Sequence, residues 1–131
     1  MKKIGILNKD ISEVIAGMGH LDMLVVCDAG LPIPAHVRRI DLAMHAGSPA
    51  FVDVVRDIAK ELQVERIILA EETGTVSPHI ESAVVNIFDA ARVDKIPHER
   101  FKELSHQAVA VVRTGEFTPY ANIILVSGVV F

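Results

Sequence analysis

Apolar residues recur along the chain with two different periods, and the switching between them predicts the fold class. Ile11, Val14, Ile15 and Met18 fall at helical spacing, with Asn8 and Asp10 as candidate caps and Gly17 and Gly19 as stops. Residues 24–27, LVVC, form a short unbroken apolar run, which reads as a buried strand. The run ends at Asp28, and Pro32 and Pro34 then keep the chain out of a helix. A weaker strand is predicted over 39–44. Ser48-Pro49 reads as a helix start, with Ser as N-cap and Pro at the first position, ahead of an apolar face of Phe51, Val54, Val55, Ile58 and Leu62. Residues 66–70 read as a strand. Ser77-Pro78 repeats the start signal, followed by Ile80, Ala83, Val84, Ile87 and Phe88 on one face. A short helix is predicted after Pro97, with Phe101 and Leu104 inward, and strands over 108–112 and 123–131 close the chain.

Strands that alternate with helices predict an α/β class. The expectation is one domain over residues 1–131, a three-layer α/β/α arrangement on a mostly parallel, mixed sheet. Residues 113–122 are too few for a parallel crossover, so the last two strands either pair antiparallel or are not neighbours. Ligands in open α/β sheets bind beyond the carboxyl ends of strands, which singles out Asp28. The last strand is unusual in another way. Tyr120 and Asn122 stand between a Thr-Pro turn and an apolar run, so its mouth carries hydrogen-bonding groups.

Composition narrows the function classes. Half of the 131 residues are hydrophobic and 23% are charged, enough for one core and too little chain for two. The mean hydropathy of +0.38 is high for a small domain and predicts an oligomer that covers the excess apolar surface. The net charge is −4, with no basic block, no Trp and one Tyr, which argues against a nucleic-acid partner. Cys27 is the single cysteine and reads as a small buried hydrophobe. The N-terminus lacks a signal-peptide run and no segment is long enough to span a bilayer, so a cytoplasmic location without a membrane partner is expected.

Several chemistries lack their motifs: there is no GxGxxG, no GxxxxGK[ST] and no GxSxG. Of the six histidines, His20 follows a glycine-stopped helix, where position alone favours reading it as a helix-end cation. His98 opens the helix after Pro97. Lys102 shares its face and reads as solvated. Glu71-Glu72 reads as the end of a strand, with the two side chains on opposite faces. Glu116 reads as a cap or ion-pair residue. What remains is His20, Asp28, His98, Tyr120 and Asn122. If these meet, their mix of donors and acceptors suits a neutral polyol better than a phosphate.

The stretches GILN (5–8), GMGHLD (17–22), DAGLPIP (28–34), RTGEFTPYANIIL (113–125) and the terminal GVVF together carry a resemblance. From residue 2 to residue 131 the chain resembles the family of ribose pyranases and fucose mutarotases. The resemblance implies an isomerase that interconverts the pyranose and furanose rings of D-ribose, with no cofactor and no metal. It matches His20 to the family's proton donor, and Asp28, His98 and the segment Tyr120, Ala121, Asn122 to its substrate-binding positions. It also implies self-association, usually a decamer of two stacked pentameric rings, with each site near a subunit boundary. Leu21 departs from the small polar residue more usual there. The DAGLPIP stretch looks like the ribose branch. The rival expectations are a mutarotase of fucose or another monosaccharide, a non-catalytic sugar-binding module of a transport system, and a structural oligomeric scaffold.

Overall fold

A computed structural model describes all 131 residues. Its elements run α1 (Lys9–Gly17), β1 (Met23–Cys27), β2 (Arg38–Asp41), α2 (Phe51–Ala59), β3 (Val64–Ala70), α3 (Glu71–Val76), α4 (Pro78–Ile87), β4 (Arg92–Ile96), α5 (His98–Ser105), β5 (Ala110–Arg113) and β6 (Ile123–Ser127). The six strands form one sheet in the order β2-β5-β1-β6-β3-β4. Five strands run parallel. Only β6 is reversed, and it pairs antiparallel with β1 on one side and β3 on the other. The last two strands are therefore not neighbours, because β1 lies between them.

Strand alternation sorts the apolar side chains onto two faces. Leu24, Val26, Ile67, Leu69, Ile123 and Leu125 point into the larger core, against Ile11 and Val14 of α1, Phe51 and Ile58 of α2, and Ile80 and Val84 of α4. Val25, Cys27, Ile68, Val111, Ile124 and Val126 point the other way. That second face is covered by Phe101 of α5 and by Leu31 and Val37 of an irregular stretch. The sandwich is thus three-layered and α/β, with a thinner outer layer on the second face.

Asn8 does cap α1, its side-chain oxygen accepting from the Ile11 amide at 3.0 Å. The Ser-Pro start signals work differently from the expectation. Ser48-Pro49 is a cis peptide, α2 begins only at Phe51, and Ala50 at its N-cap offers no side-chain acceptor. Glu116 fills that place from 65 residues away, its carboxylate accepting from the Phe51 amide at 3.1 Å. The same carboxylate accepts from the Thr118 amide and hydroxyl. Gly115 beside it has no room for a side chain, since a Cβ there would strike the Ser48 carbonyl. Ser77 precedes α4, but its hydroxyl donates to the Pro119 carbonyl at 2.7 Å instead of capping.

Two further expectations are corrected, and one strand lies outside those expected. Glu71 and Glu72 do not end a strand but open α3. β4 went unpredicted because RVDKI is a half-exposed edge strand with a weak apolar signal. The final run stops being strand at Ser127, and Val129, Val130 and Phe131 are exposed.

The turn between α1 and β1 is strained. The Asp22 amide donates to the Gly19 carbonyl at 3.2 Å, and Leu21 has a φ of 70°. His20 has no positive φ, so the turn is type II with Leu where glycine is favoured. Leu21 is 58% exposed, so little burial compensates the left-handed conformation. Replacing Leu21 with Gly should stabilise the fold by about 0.5–1 kcal/mol in chemical denaturation, the relief of αL strain outweighing the added chain entropy.

Burial pushes the Glu116 carboxyl upward, but the hydrogen bonds from the Thr118 hydroxyl and the Phe51 and Thr118 amides outweigh it and hold it below its ordinary value. A lowered folded value means a contribution present above the unfolded value of 4.5 and lost as pH falls through the folded one. Glu116→Gln should therefore lower Tm at neutral pH and flatten the loss of Tm below about pH 4.5. Glu116→Ala should cost about 1–2 kcal/mol at pH 7.

Candidate functional site

The carboxyl ends of β1, β3, β4 and β5 lie at one edge of the sheet, and β6, being reversed, begins there. This places Asp28, just past β1, beside Asn122, just before β6. The two lock together: the Asp28 amide donates to the Asn122 side-chain oxygen at 2.9 Å, and the Asn122 amide group donates to the Asp28 carboxylate at 3.1 Å. The other Asp28 oxygen accepts from the Gly30 amide at 2.9 Å. Asn122 is buried and Asp28 half-buried, so the amide fixes the carboxylate and the carboxylate keeps free acceptor capacity at the surface.

His98 opens α5 just beyond β4, at the same edge. Its ring meets that of Tyr120 edge-on, with centroids 5.0 Å apart, and lies nearly parallel to Phe101 at 6.2 Å. Backbone contacts hold both partners in place. The His98 amide donates to the Glu72 carboxylate at 2.9 Å, and the Thr73 hydroxyl donates to the Tyr120 carbonyl at 2.8 Å. Tyr120 has a φ of 60°, and its carbonyl also accepts from the Asn122 amide at 2.9 Å. Non-glycine residues in this region are held there by their surroundings, and such strain clusters at sites. Ala121 between them is fully buried in the larger core.

One polar atom in this group has no partner. The His98 Nδ1 is buried and makes no hydrogen bond, although buried polar atoms in proteins are nearly always paired. A ligand hydroxyl can satisfy such a nitrogen as either donor or acceptor. Beside Asp28 an open cavity of about 370 Å³ is lined by Gly30, Arg113, Glu116, Phe117 and Pro119 among others. Arg113 braces its rim, donating to the Ala29 carbonyl at 3.0 Å and to both Asp41 oxygens at 3.1 Å. A larger hollow of about 610 Å³, bordered by Lys2, Ile6 and Glu61, contains none of the predicted site residues.

Neighbouring groups divide into structural and free. Burial, with help from the Asp28 charge, pushes the Cys27 thiol up to about 12, so it is neutral and inert at physiological pH. Lys102 pairs with Glu99 at 2.6 Å, in line with the solvated-face reading. His36 spends its Nε2 on the His106 carbonyl at 3.0 Å.

His20 is the exception. It precedes β1, whereas Asp28 follows it, so the two lie at opposite ends of the sheet, roughly 15 Å apart along a five-residue strand. The turn of His20 is tied to the far end of β6, where the Leu21 amide donates to the Ser127 carbonyl at 2.9 Å. The chain thus gathers Asp28, His98, Tyr120 and Asn122 and leaves His20 apart. The imidazole is half-exposed, and its Nε2 sits 3.0 Å from the carboxylate of Glu65. Sequence reasoning missed Glu65, Glu72 and Thr73. Glu65 and Glu72 resemble ordinary surface charges in the sequence, and Thr73 lies in a helix the apolar pattern does not reveal.

Comparison with known proteins adds a second line of observation. The D-ribose pyranase of Chloroflexus aggregans is 53% identical over 131 residues, covering both chains completely. That of Symbiobacterium thermophilum is also 53% identical with complete coverage of both. Among solved structures, Bacillus subtilis RbsD complexed with D-ribose superposes with a TM-score of 0.97 at 45% identity, covering 100% of each chain. The fucose mutarotase of Streptococcus pneumoniae in complex with L-fucose gives a TM-score of 0.80 at 25% identity, over 95% of each chain. A profile of the RbsD / FucU transport protein family matches residues 1–130. With its whole length matched at this level of identity, the chain belongs to the RbsD / FucU family.

Proposed function

We propose that this chain is an isomerase with D-ribose pyranase activity, interconverting the pyranose and furanose rings of D-ribose by opening and reclosing them. The observation that carries the reading is the polar cluster at the mouth of β6. A carboxylate clamped by an amide, an unpartnered buried imidazole nitrogen and a tyrosine ring offer both donors and acceptors within one small region. That is what a neutral polyol needs, with Tyr120 giving its C–H groups an apolar surface. The similarity to a ribose-bound structure over the full length supports ribose over other sugars, since the fucose-bound relative is much more distant.

In this reading Asp28 and Asn122 hold sugar hydroxyls, and the His98 Nδ1 takes another. Tyr120 packs on the ring, and Ala121 contributes only backbone, its side chain being buried. His20 gives a proton to the ring oxygen as the bond from that oxygen to the anomeric carbon breaks. The anomeric hydroxyl loses its proton to His98 or water as the aldehyde forms. Reclosure through a different hydroxyl changes the ring size. An imidazole suits this exchange because its ordinary pKa of about 6.5 lies near working pH. Aldose rings open unaided in water, so an acid–base contribution of about 10²–10⁴-fold is sufficient.

The separation of His20 from the cluster adds a requirement: a second protomer must supply the imidazole. Each site is then built at a subunit boundary, within the decamer of two pentameric rings expected for this family. The positive mean hydropathy and the exposed Leu21, Val129, Val130 and Phe131 supply apolar surface for such contacts.

Saturation-transfer NMR on ribose with catalytic amounts of protein should show faster exchange between ring forms. A non-catalytic binding module would bind ribose without any acceleration, and a scaffold would do neither. His20→Ala should reduce that exchange by about 10²-fold or more, and a folded variant with unchanged exchange would dispose of the assignment. Asn122→Ala should raise the half-saturating ribose concentration more than it lowers saturated exchange. It should also cost about 1–3 kcal/mol of stability, because the Asp28 amide loses its partner.

The shared-site arrangement has its own test. His20→Ala protomers and Asn122→Ala protomers are unfolded and refolded together and assayed at a ribose concentration far below the raised half-saturation of Asn122→Ala, where each variant alone gives little exchange. Random mixing should restore about a quarter of the sites, because an intact His20 then faces an intact Asn122 across some boundaries. Sites confined to one protomer would stay inactive in every mixture.

A further inference from the structure

We infer that Glu65 is a positioning residue for His20, holding the hydrogen on Nε2 so that Nδ1 is the nitrogen that trades protons with the sugar. This rests on the reading of His20 as the general acid.

The geometry begins with a flaw in the sheet. β3 pairs with β6 as Val64↔Ser127 and then Arg66↔Val126, so Glu65 is an extra residue in the ladder. Such a bulge bends its strand and re-aims a side chain, and bulges concentrate next to active sites. Here the re-aimed side chain is a carboxylate whose Oε2 lies 3.0 Å from the His20 Nε2. The opposite strand leaves room for it. A Cβ at Gly128 would stand 3.0 Å from the Glu65 Cβ and 3.4 Å from its Oε2. The Gly128 amide donates to the Gln63 carbonyl at 2.9 Å, which keeps that close approach fixed.

His20 is presented from its side just as firmly. It occupies the second position of the type II turn, closed from Asp22 to Gly19 and reinforced by the Gly19 amide donating to the Asp22 carboxylate at 2.8 Å. The Leu21 amide anchors the turn to Ser127, the residue at the bulge. Bulge and turn are thus bonded through the same strand end.

The chemistry follows from the inventory of hydrogens. An ionised carboxylate can only accept, so the Nε2 facing it must donate. In the neutral ring this leaves Nδ1 as the lone-pair nitrogen. In the imidazolium, Nδ1–H is the proton available to a ligand. When the bond between the anomeric carbon and the ring oxygen breaks, its electron pair stays on that oxygen, which takes the Nδ1 proton. The anomeric hydroxyl proton leaves to solvent or base, and the neutral ring keeps its Nε2–H on Glu65. A carboxylate that orients and stabilises an imidazolium in this way acts without itself taking the proton, as in hydrolase triads.

The test uses ring ¹⁵N NMR of the intact protein in alkaline buffer, which needs no sugar. Wild type should show His20 with a protonated Nε2 and a pyridine-like Nδ1. Glu65→Ala should relax this state from a single tautomer toward the mixture of a free imidazole, and Glu65→Gln, whose carbonyl still accepts, should hold it more fully. In ribose exchange, Glu65→Ala should lower the saturated rate about tenfold to a hundredfold with half-saturation within about twofold, Glu65→Gln falling between. Gly128→Ala should reproduce the loss by displacing the carboxylate. A wild-type ring protonated on Nδ1, or Glu65→Ala with unchanged nitrogen signals or unchanged saturated exchange, overturns the inference. Failure of the ribose reading looks different: His20→Ala would then leave exchange unaltered whatever the nitrogen signals show.

Discussion

The reversal of β6 is the constraint on which the rest of the molecule depends. All five of its residues are buried, and it hydrogen-bonds to β1 and β3 at the centre of the sheet. A parallel strand in that place would have begun at the opposite edge. Because it runs the other way, its first residues emerge among the carboxyl ends of the parallel strands, where helix-covered sheets keep their ligand crevices. Asn122 therefore reaches Asp28, 94 residues away in the chain. The same reversal sends Ser127 and Gly128 to the opposite edge, where they hold the turn of His20 and make space for Glu65. One buried strand thus organises polar groups at both of its ends.

The helical periods and apolar runs made most of the architecture legible in the sequence. Where the pattern was strong, as in α2 with its four buried residues, the element formed as expected. Where a local rule competed with a distant contact, the contact won. Ser48-Pro49 has the residues of a helix start, yet the amide needing a partner is Phe51, and Glu116 reaches it from the far side of the chain. Ser77 gives its hydroxyl to Pro119, fastening the loop that carries Tyr120. Both departures serve the segment 113–122, and neither acceptor is visible to reasoning over a few neighbouring residues. The edge strand β4 and the short α3 were missed for a simpler reason: neither buries enough apolar surface to mark itself.

The site was legible in part. Asp28 follows from position alone, being the first polar residue after a buried parallel strand. Tyr120 and Asn122 follow from the oddity of polar residues at the start of an apolar run. His98 is different, because the sequence gives no sign that its Nδ1 will be buried without a partner. That depends on α3, whose Glu72 and Thr73 hold the His98 amide and the Tyr120 carbonyl and so press the two rings together. Glu65 was illegible for the same kind of reason. Its direction comes from a bulge, and a bulge is a property of two paired strands.

His20 and Asp28 are separated by a strand that cannot bend, since each of its last four residues is buried between two layers. No side-chain rearrangement within a protomer closes a gap of roughly 15 Å set by strand rise. Either the two groups serve different purposes or a second copy brings them together, and the family resemblance of both stretches favours the second. On that reading the fold divides the labour. The edge with Asp28, Asn122, His98 and Tyr120 recognises the sugar and is held by its own hydrogen bonds. In the proposed mechanism the edge with His20 and Glu65 carries the mobile proton into a neighbour's site. The positive φ at Leu21 belongs to the same turn that presents His20, half-exposed and bonded to Glu65, at this edge.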